Sequence, residues 1–255
     1  MDNKQKSVLE IVGLTKSFGS NHVLKNLSLT LQQGENVAVL GKSGSGKSVL
    51  IKCVVGLITP DAGTINVFGR NVNEMSNDEL DHVRSKVGFL FQSNALYDSM
   101  TVRENLEFPL RRHVRAGVTT DTEIAVMEAL ADVGLEHTID MMPAELSGGM
   151  RKRIALARTL ILHPEIILYD EPTTGLDPIT AREISKLIVK VQHKYNTSSL
   201  IISHDMTCIE ITSNRVIMLI NGTCYAADTY SSLVRSTDPK IHEFFIESEI
   251  EHENV

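Results

Sequence analysis

Eight consecutive residues, Gly41-Lys42-Ser43-Gly44-Ser45-Gly46-Lys47-Ser48, place glycines, a lysine and a hydroxyl at the spacing of the Walker A phosphate loop. The apolar run Asn36-Val37-Ala38-Val39-Leu40 precedes them, and a stretch of helical pattern from Val49 to Leu57 follows. Strand, loop and helix in that order are the context in which the pattern binds phosphate. Glycines let the backbone fold into a nest of N–H groups, and the helix behind presents its positive end to the same anion. The reading places Gly41, Ser43, Gly44, Ser45, Gly46 and Val49 around the phosphates, Lys47 on the β- and γ-phosphates, and Ser48 on Mg²⁺. Alone, such a loop leaves kinases, GTPases and ATPases open.

A second feature narrows the chemistry. Glu165-Ile166-Ile167-Leu168-Tyr169-Asp170-Glu171-Pro172 reads as a buried parallel strand ending in two adjacent carboxylates. Asp170 is placed to hold Mg²⁺ through water, and Glu171 to act as general base or to orient an attacking water. Two neighbouring carboxylates in an apolar setting repel unless a cation lies between them, so the pair and the cation support each other. Leu146-Ser147-Gly148-Gly149-Met150 falls between the loop and this strand. Ser147 is a suitable N-cap for a helix from Met150 to Leu162, whose Ile154, Leu156, Ala157, Leu160 and Ile161 form an apolar face.

The phosphate loop, Gln92, the Leu146 to Met150 run, Ile167-Leu168-Tyr169-Asp170-Glu171-Pro172, Gly175-Leu176-Asp177-Pro178 and His204 follow one another in register. In that order they resemble an ABC-type ATPase subunit over nearly the whole chain. The resemblance implies that Ser147, Gly148 and Gly149 contact the γ-phosphate of ATP held by a second copy, making a head-to-tail dimer around two ATP molecules. It implies that Gln92 touches Mg²⁺ or the lytic water, and that His204 hydrogen-bonds the γ-phosphate. Asp177 matches the aspartate that reaches across the dimer, although capping of a helix beginning at Pro178 explains it almost as well. Phe18 matches the aromatic that stacks on adenine; a core phenylalanine is the other reading.

The elements that must position these groups are visible in the pattern. Residues 8 to 33 alternate apolar and polar, as does Thr64-Ile65-Asn66-Val67-Phe68, which predicts a small antiparallel sheet. Runs at 36–40, 87–91, 166–170, 199–203 and 215–220 are continuously apolar and predict a parallel α/β sheet with ligands at its carboxyl edge. Helical pattern fills Thr101 to Leu110, Thr120 to Gly134 and Ser147 to Leu162. The expected fold is an α/β P-loop NTPase (RecA-like) core, residues 1–92 and 164–237, with a small antiparallel β subdomain and an inserted α-helical subdomain, 93–163. A tail at 238–255 carries Ile241, Phe244, Phe245 and Ile250 among glutamates, an amphipathic helix or a solvated end.

Composition sets outer bounds. The 255 residues carry a net charge of −7, with a pI near 5.7, which argues against a general nucleic-acid binder. The basic clusters Arg111-Arg112-His113 with Arg115, and Arg151-Lys152-Arg153, read as solvated charges, with a contribution of the second to the positive field near phosphate as the alternative. Cys53, Cys208 and Cys224 lack metal-ligand spacing, so free thiols in a reducing compartment are the default. The N-terminus lacks a signal-peptide core, and no run approaches the roughly 20 apolar residues of a membrane span, so a membrane role needs a partner chain.

Within the family, the segment Phe89 to Asn105 and the run Leu146 to Arg153 resemble the MlaF/Mkl subfamily, ATPases of Mce-linked lipid transporters. Met150, where the wider family has glutamine, fits that subgroup, whereas Gly175 in place of alanine is less diagnostic. The resemblance implies an MlaE-like permease, a periplasmic Mce-domain lipid carrier, room for a small regulatory subunit, and a place on the cytoplasmic face of the inner membrane. It further implies that Asn94 to Val102 receives a coupling helix of the permease, with Leu96 and Tyr97 partly exposed; simple inward packing of both is the alternative. Another importer or exporter ATPase, an FtsE-like division protein or a SufC-like scaffold would carry the same catalytic residues.

Overall fold

The computed structural model describes residues 6–115 and 121–245, the side chains of 112–115 excepted. Apolar alternation folds Ser7–Phe18 (β1) against Asn21–Gln32 (β2), with Ile11 opposite Leu29 and Leu14 opposite Leu27. Asn36–Leu40 (β3) follows and is buried along its whole length. Lys47–Val54 (α1) then leads to Ala62–Val67 (β4), Arg70–Asn71 (β5) and Asn77–Ser85 (α2). Val87–Leu90 (β6) is followed by three helices, Val102–Arg115 (α3), Thr122–Val133 (α4) and Gly148–Leu160 (α5). The chain returns through Ile166–Asp170 (β7), Pro178–Tyr195 (α6), Ser198–Ser203 (β8), Met206–Thr212 (α7), Arg215–Ile220 (β9), Thr223–Asp228 (β10) and Tyr230–Val234 (α8).

Two sheets result. The four-stranded one, β2-β1-β4-β5, is antiparallel throughout; the six-stranded one runs β10-β9-β3-β8-β7-β6 and is parallel except for the edge strand β10. The parallel strands bury both faces. Val37 and Val39 join the core shared with the antiparallel sheet and α1, while Ala38 and Leu40 pack with α7, α8 and the tail. Each buried valine or leucine contributes about 1.5–3 kcal/mol, and a one-residue slip would exchange the faces, so β3 and the loop behind it are firmly in register.

Several expectations shift. Helix α1 starts at Lys47 and stops at Val54 rather than spanning Val49 to Leu57, because Gly56 takes φ +68° and the Leu57 amide closes onto the Lys52 carbonyl at 2.8 Å. Strand β10 is an exposed edge with little apolar alternation. Helix α2 rests on a capping box, Ser76 with Glu79, more than on an apolar stripe. In the tail, residues 239–245 are helical, and Ile241 and Phe245 are buried against β3 and β9. Ile250 and the later glutamates lie outside the described residues, as do the side chains of Arg112, His113 and Arg115.

Candidate nucleotide-binding and hydrolysis site

The ends of β3, β6, β7 and β8 lie along one edge of the parallel sheet and deliver Gly41, Gln92, Asp170 and His204. That edge is where open α/β sheets bind ligands. At β3 the chain turns into the loop and enters α1 through Gly46, which has φ +105°. A Cβ there would stand 2.8 Å from Leu24 Cδ2, so both conformation and space require glycine. Lys47 is buried, and its ammonium donates to the carbonyls of Gly41 at 2.5 Å and Lys42 at 3.1 Å. Burial pulls its pKa down, while the carboxylates of Glu171 and Asp170 pull it back up. Ser48 and Val49 form the first turn behind it, and the buried Ser45 hydroxyl has no hydrogen-bond partner. A cavity of about 690 Å³ opens beside the loop, walled by Lys42, Ser43, Gly44, Ser45, Val23 and Phe244. Phe18 ends β1 with 49% of its surface exposed and the Lys16 ammonium 5.4 Å from its ring centre, so it is not a core side chain.

Asp170 ends β7 with Oδ1 buried and unpartnered. Burial, then the neighbouring Glu171 charge, push its pKa up against the lysines 52, 47 and 152. Glu171 holds φ +51°, a left-handed backbone that costs a non-glycine residue about 1–3 kcal/mol. Its amide donates to the Ile202 carbonyl at 2.8 Å, which locks that turn to β8. The carboxylate then lies 2.8 Å from His204 Nδ1 and accepts from the Thr174 hydroxyl at 3.3 Å. This contact with Glu171 raises the His204 pKa, with burial acting against it. Glu171 is nearly enclosed and His204 mostly exposed, so the pair presents a shielded carboxylate behind an accessible ring.

Gln92 lies exposed beyond β6, and the Lys152 ammonium donates to its carbonyl at 2.9 Å. The reading of Arg151-Lys152-Arg153 as a solvated face is therefore corrected. Lys152 is only 2% exposed, and burial lowers its pKa to about 8. Ile154, Ala155, Leu156 and Ala157 are all buried, so α5 is enclosed on nearly every side and carries its cation inward. Those four consecutive apolar residues are the signal that could have revealed Lys152 in the sequence. Arg151 donates to the Leu146 carbonyl, and Arg153 to the Val133 carbonyl and the Glu183 carboxylate.

Ser147 caps α5 by accepting from the Met150 amide at 3.2 Å. Behind it a Cβ on Gly149 would stand 2.6 Å from Thr180 Cγ2 of α6, so a side chain there would have to displace Thr180. Asp177 caps α6, accepting from the amides of Ile179 at 3.1 Å and Thr180 at 3.0 Å. Tyr97 is exposed, whereas Leu96 is half-buried against the helical core. The thiols of Cys53 and Cys208 are buried and free, and burial raises both to about 11, which removes them as nucleophiles.

The unpartnered Asp170 oxygen, the Ser48 hydroxyl and the exposed Gln92 amide suit a hard divalent cation that prefers oxygen ligands. Among the described residues, no group of three His, Cys, Asp or Glu side chains gathers as a protein-only metal cage.

The family profile described as ABC transporter matches residues 24–174. The chain is 39% identical over 236 residues to the "Probable ribonucleotide transport ATP-binding protein mkl" of Mycobacterium tuberculosis, covering 92% of this chain and 66% of that protein. It thus spans slightly under two thirds of that relative's length. It is 34% identical over 244 residues to the "Intermembrane phospholipid transport system ATP-binding protein MlaF" of Escherichia coli, covering 96% of this chain and 90% of that one. Among solved structures, the ATP-binding cassette MJ0796, determined as a dimer bound to ADP and Pi, superposes with a TM-score of 0.78 at 31% identity, over 87% of this chain and 98% of its own. By profile, sequence and fold, the chain belongs to the ABC transporter family and carries its ATP-binding cassette.

Proposed function

We propose that this chain is the ATP-hydrolysing subunit of a membrane transporter and works as a head-to-tail pair of copies. The observation that carries the reading is the Glu171–His204 contact of 2.8 Å, at strand ends alongside the strand that leads to Lys47. Lys47 exchanges its two loop carbonyls for β- and γ-phosphate oxygens. Held by Ser48 and Asp170 with Gln92 close by, Mg²⁺ would neutralise charge on the phosphates. Glu171 accepts a proton from the attacking water as the new P–O bond forms and the β–γ bridging bond breaks, its electrons going to the departing ADP. His204 hydrogen-bonds the γ-phosphate and keeps Glu171 oriented. Ser147, Gly148 and Gly149 offer the N-terminus of α5 to the γ-phosphate held by the other copy, and Asp177 faces it across the interface. Phe18, half-exposed on β1, stacks on the adenine.

No helix among the described residues is long and apolar enough to cross a membrane, so transport needs a membrane-spanning partner, an MlaE-like permease, on whose cytoplasmic face the chain sits. Similarity to MlaF, spread over nearly all of both chains, supports phospholipid as cargo, with an Mce-domain carrier and a small regulatory subunit in the complex. The exposed Tyr97 supports docking of the permease beside Gln92. The name of the mycobacterial relative favours a second reading, ribonucleotide transport. Purification of the complex from its native membrane, with extraction of the bound small molecules, tests both. Copurified phospholipid with an Mce-domain protein supports the first, bound nucleotide cargo the second, and a division or iron–sulfur partner contradicts both.

A further inference from the structure

We propose that Lys152 is a positioning residue for Gln92, pinning the glutamine's own carbonyl to α5 so that the loop after β6 is held in place by the same helix that bears Ser147. This rests on the hydrolysis reading above and adds a residue to it. An ammonium with three donors and 2% exposure costs several kcal/mol of lost hydration unless something inside the protein answers it. The answer is the Gln92 carbonyl at 2.9 Å, with the charges of Asp170 and Glu171 facing it from the end of β7.

The loop beyond Gln92 is itself unusual. Asn94 and Ala95 are consecutive non-glycine residues with φ +63° and +52°, each disfavoured by about 1–2 kcal/mol. Arg158, six residues beyond Lys152 on α5, donates to both of their carbonyls, at 2.8 Å for Ala95 and 3.3 Å for Asn94. Thr159 adds a contact to the Phe89 carbonyl at 3.3 Å. Three side chains of one helix thus hold the backbone on either side of Gln92.

Packing alone does not account for a lysine here. A buried cation replaced by an apolar side chain of similar volume is often neutral or stabilising, so methionine would fill this space without the charge. What methionine cannot do is donate to the Gln92 carbonyl. The geometry therefore separates a role in folding from a role in placing Gln92.

The test uses the full chain, with Lys152→Met, Lys152→Arg, Gln92→Ala and the Lys152→Met/Gln92→Ala pair. Lys152→Met should lower kcat about tenfold while KM for ATP stays within about twofold, and Lys152→Arg should restore most of the rate. Because both residues act through one position, the double variant should be no slower than Gln92→Ala. In nucleotide-free protein, Lys152→Met should speed hydrogen exchange around residues 92–97 about tenfold, including the Asn94 amide that bonds the Phe91 carbonyl. Parental kcat in Lys152→Met, losses that multiply with Gln92→Ala, or unchanged exchange would each overturn the assignment. If the methionine variant does not fold, Lys152→Leu, which likewise lacks a donor, is read by the same assays. Glu171→Gln run alongside separates the two failures: rapid turnover by that variant sinks the hydrolysis reading, whereas an inactive Glu171→Gln beside a parental Lys152→Met sinks the role of Lys152 alone.

Discussion

Two helix N-termini in this chain are built from glycine and serine, yet they are finished differently. At α1 the cap residue Gly46 offers no side-chain hydrogen bond, and the chain closes over the loop with a buried lysine held by two carbonyls and faced by two carboxylates. At α5 the cap Ser147 is exposed, its hydroxyl is committed to the Met150 amide, and the first turn carries no acidic side chain. Both ends offer a positive dipole to an anion. The first holds its lysine within the loop itself, whereas the buried lysine of α5, Lys152, lies a turn further on and is committed to the Gln92 carbonyl. In the proposed mechanism the first end holds a phosphate and the second receives one brought to it.

That contrast can be broken at either end. The largest effect is expected from Glu171→Gln, which removes the proton acceptor while keeping the shape of the α1 end. Turnover should fall roughly 10³-fold with ATP binding retained, as read by phosphate release and equilibrium binding. Ser147→Arg attacks the other end by placing a bulky cation at the α5 N-terminus. Turnover should fall about 100-fold while one chain's affinity for ATP stays near parental, since the loop that holds the nucleotide is untouched. Loss of the cap should cost about 1 kcal/mol in urea denaturation.

Gly149→Ala sharpens the comparison by loading the packing behind the α5 end, read by urea denaturation. Its Cβ would meet Thr180 at 2.6 Å, so stability should drop by about 1–3 kcal/mol. The smallest effect concerns pH. The folded pKa of His204 is raised above the ordinary 6.5, so the stability from its contact with Glu171 is fully present below 6.5 and fades as pH rises through the folded value. Denaturation midpoints of nucleotide-free protein should decline slightly over that rise, and His204→Gln should flatten the decline.

The α1 end was almost fully legible in the sequence because loop, strand and helix are contiguous, and the runs at 36–40 and 166–170 became β3 and β7 with the same limits. Asp170, Glu171 and His204 were named correctly as strand-end groups, but the contact between Glu171 and His204 depends on β7 and β8 being neighbours, and an apolar run does not disclose its partner. Lys152 is hidden in the sequence for a related reason. A lysine between two arginines looks solvated until the helix proves to be enclosed. Phe18 stands between core and ligand readings because one aromatic has no period, and only its exposure in the fold removes the first. Helix α2 carried a readable signal, Ser76 three residues before Glu79, although its mean pattern is polar.

The central claim is that a single copy holds ATP but lacks the groups that enclose its terminal phosphoryl. The most direct measurement is the ATPase rate per chain at saturating ATP as the purified protein is diluted, with mass determined at each concentration. The rate should collapse as the dimer fraction falls and return on reconcentration. Full rate per chain from a preparation shown to be wholly monomeric would contradict the account.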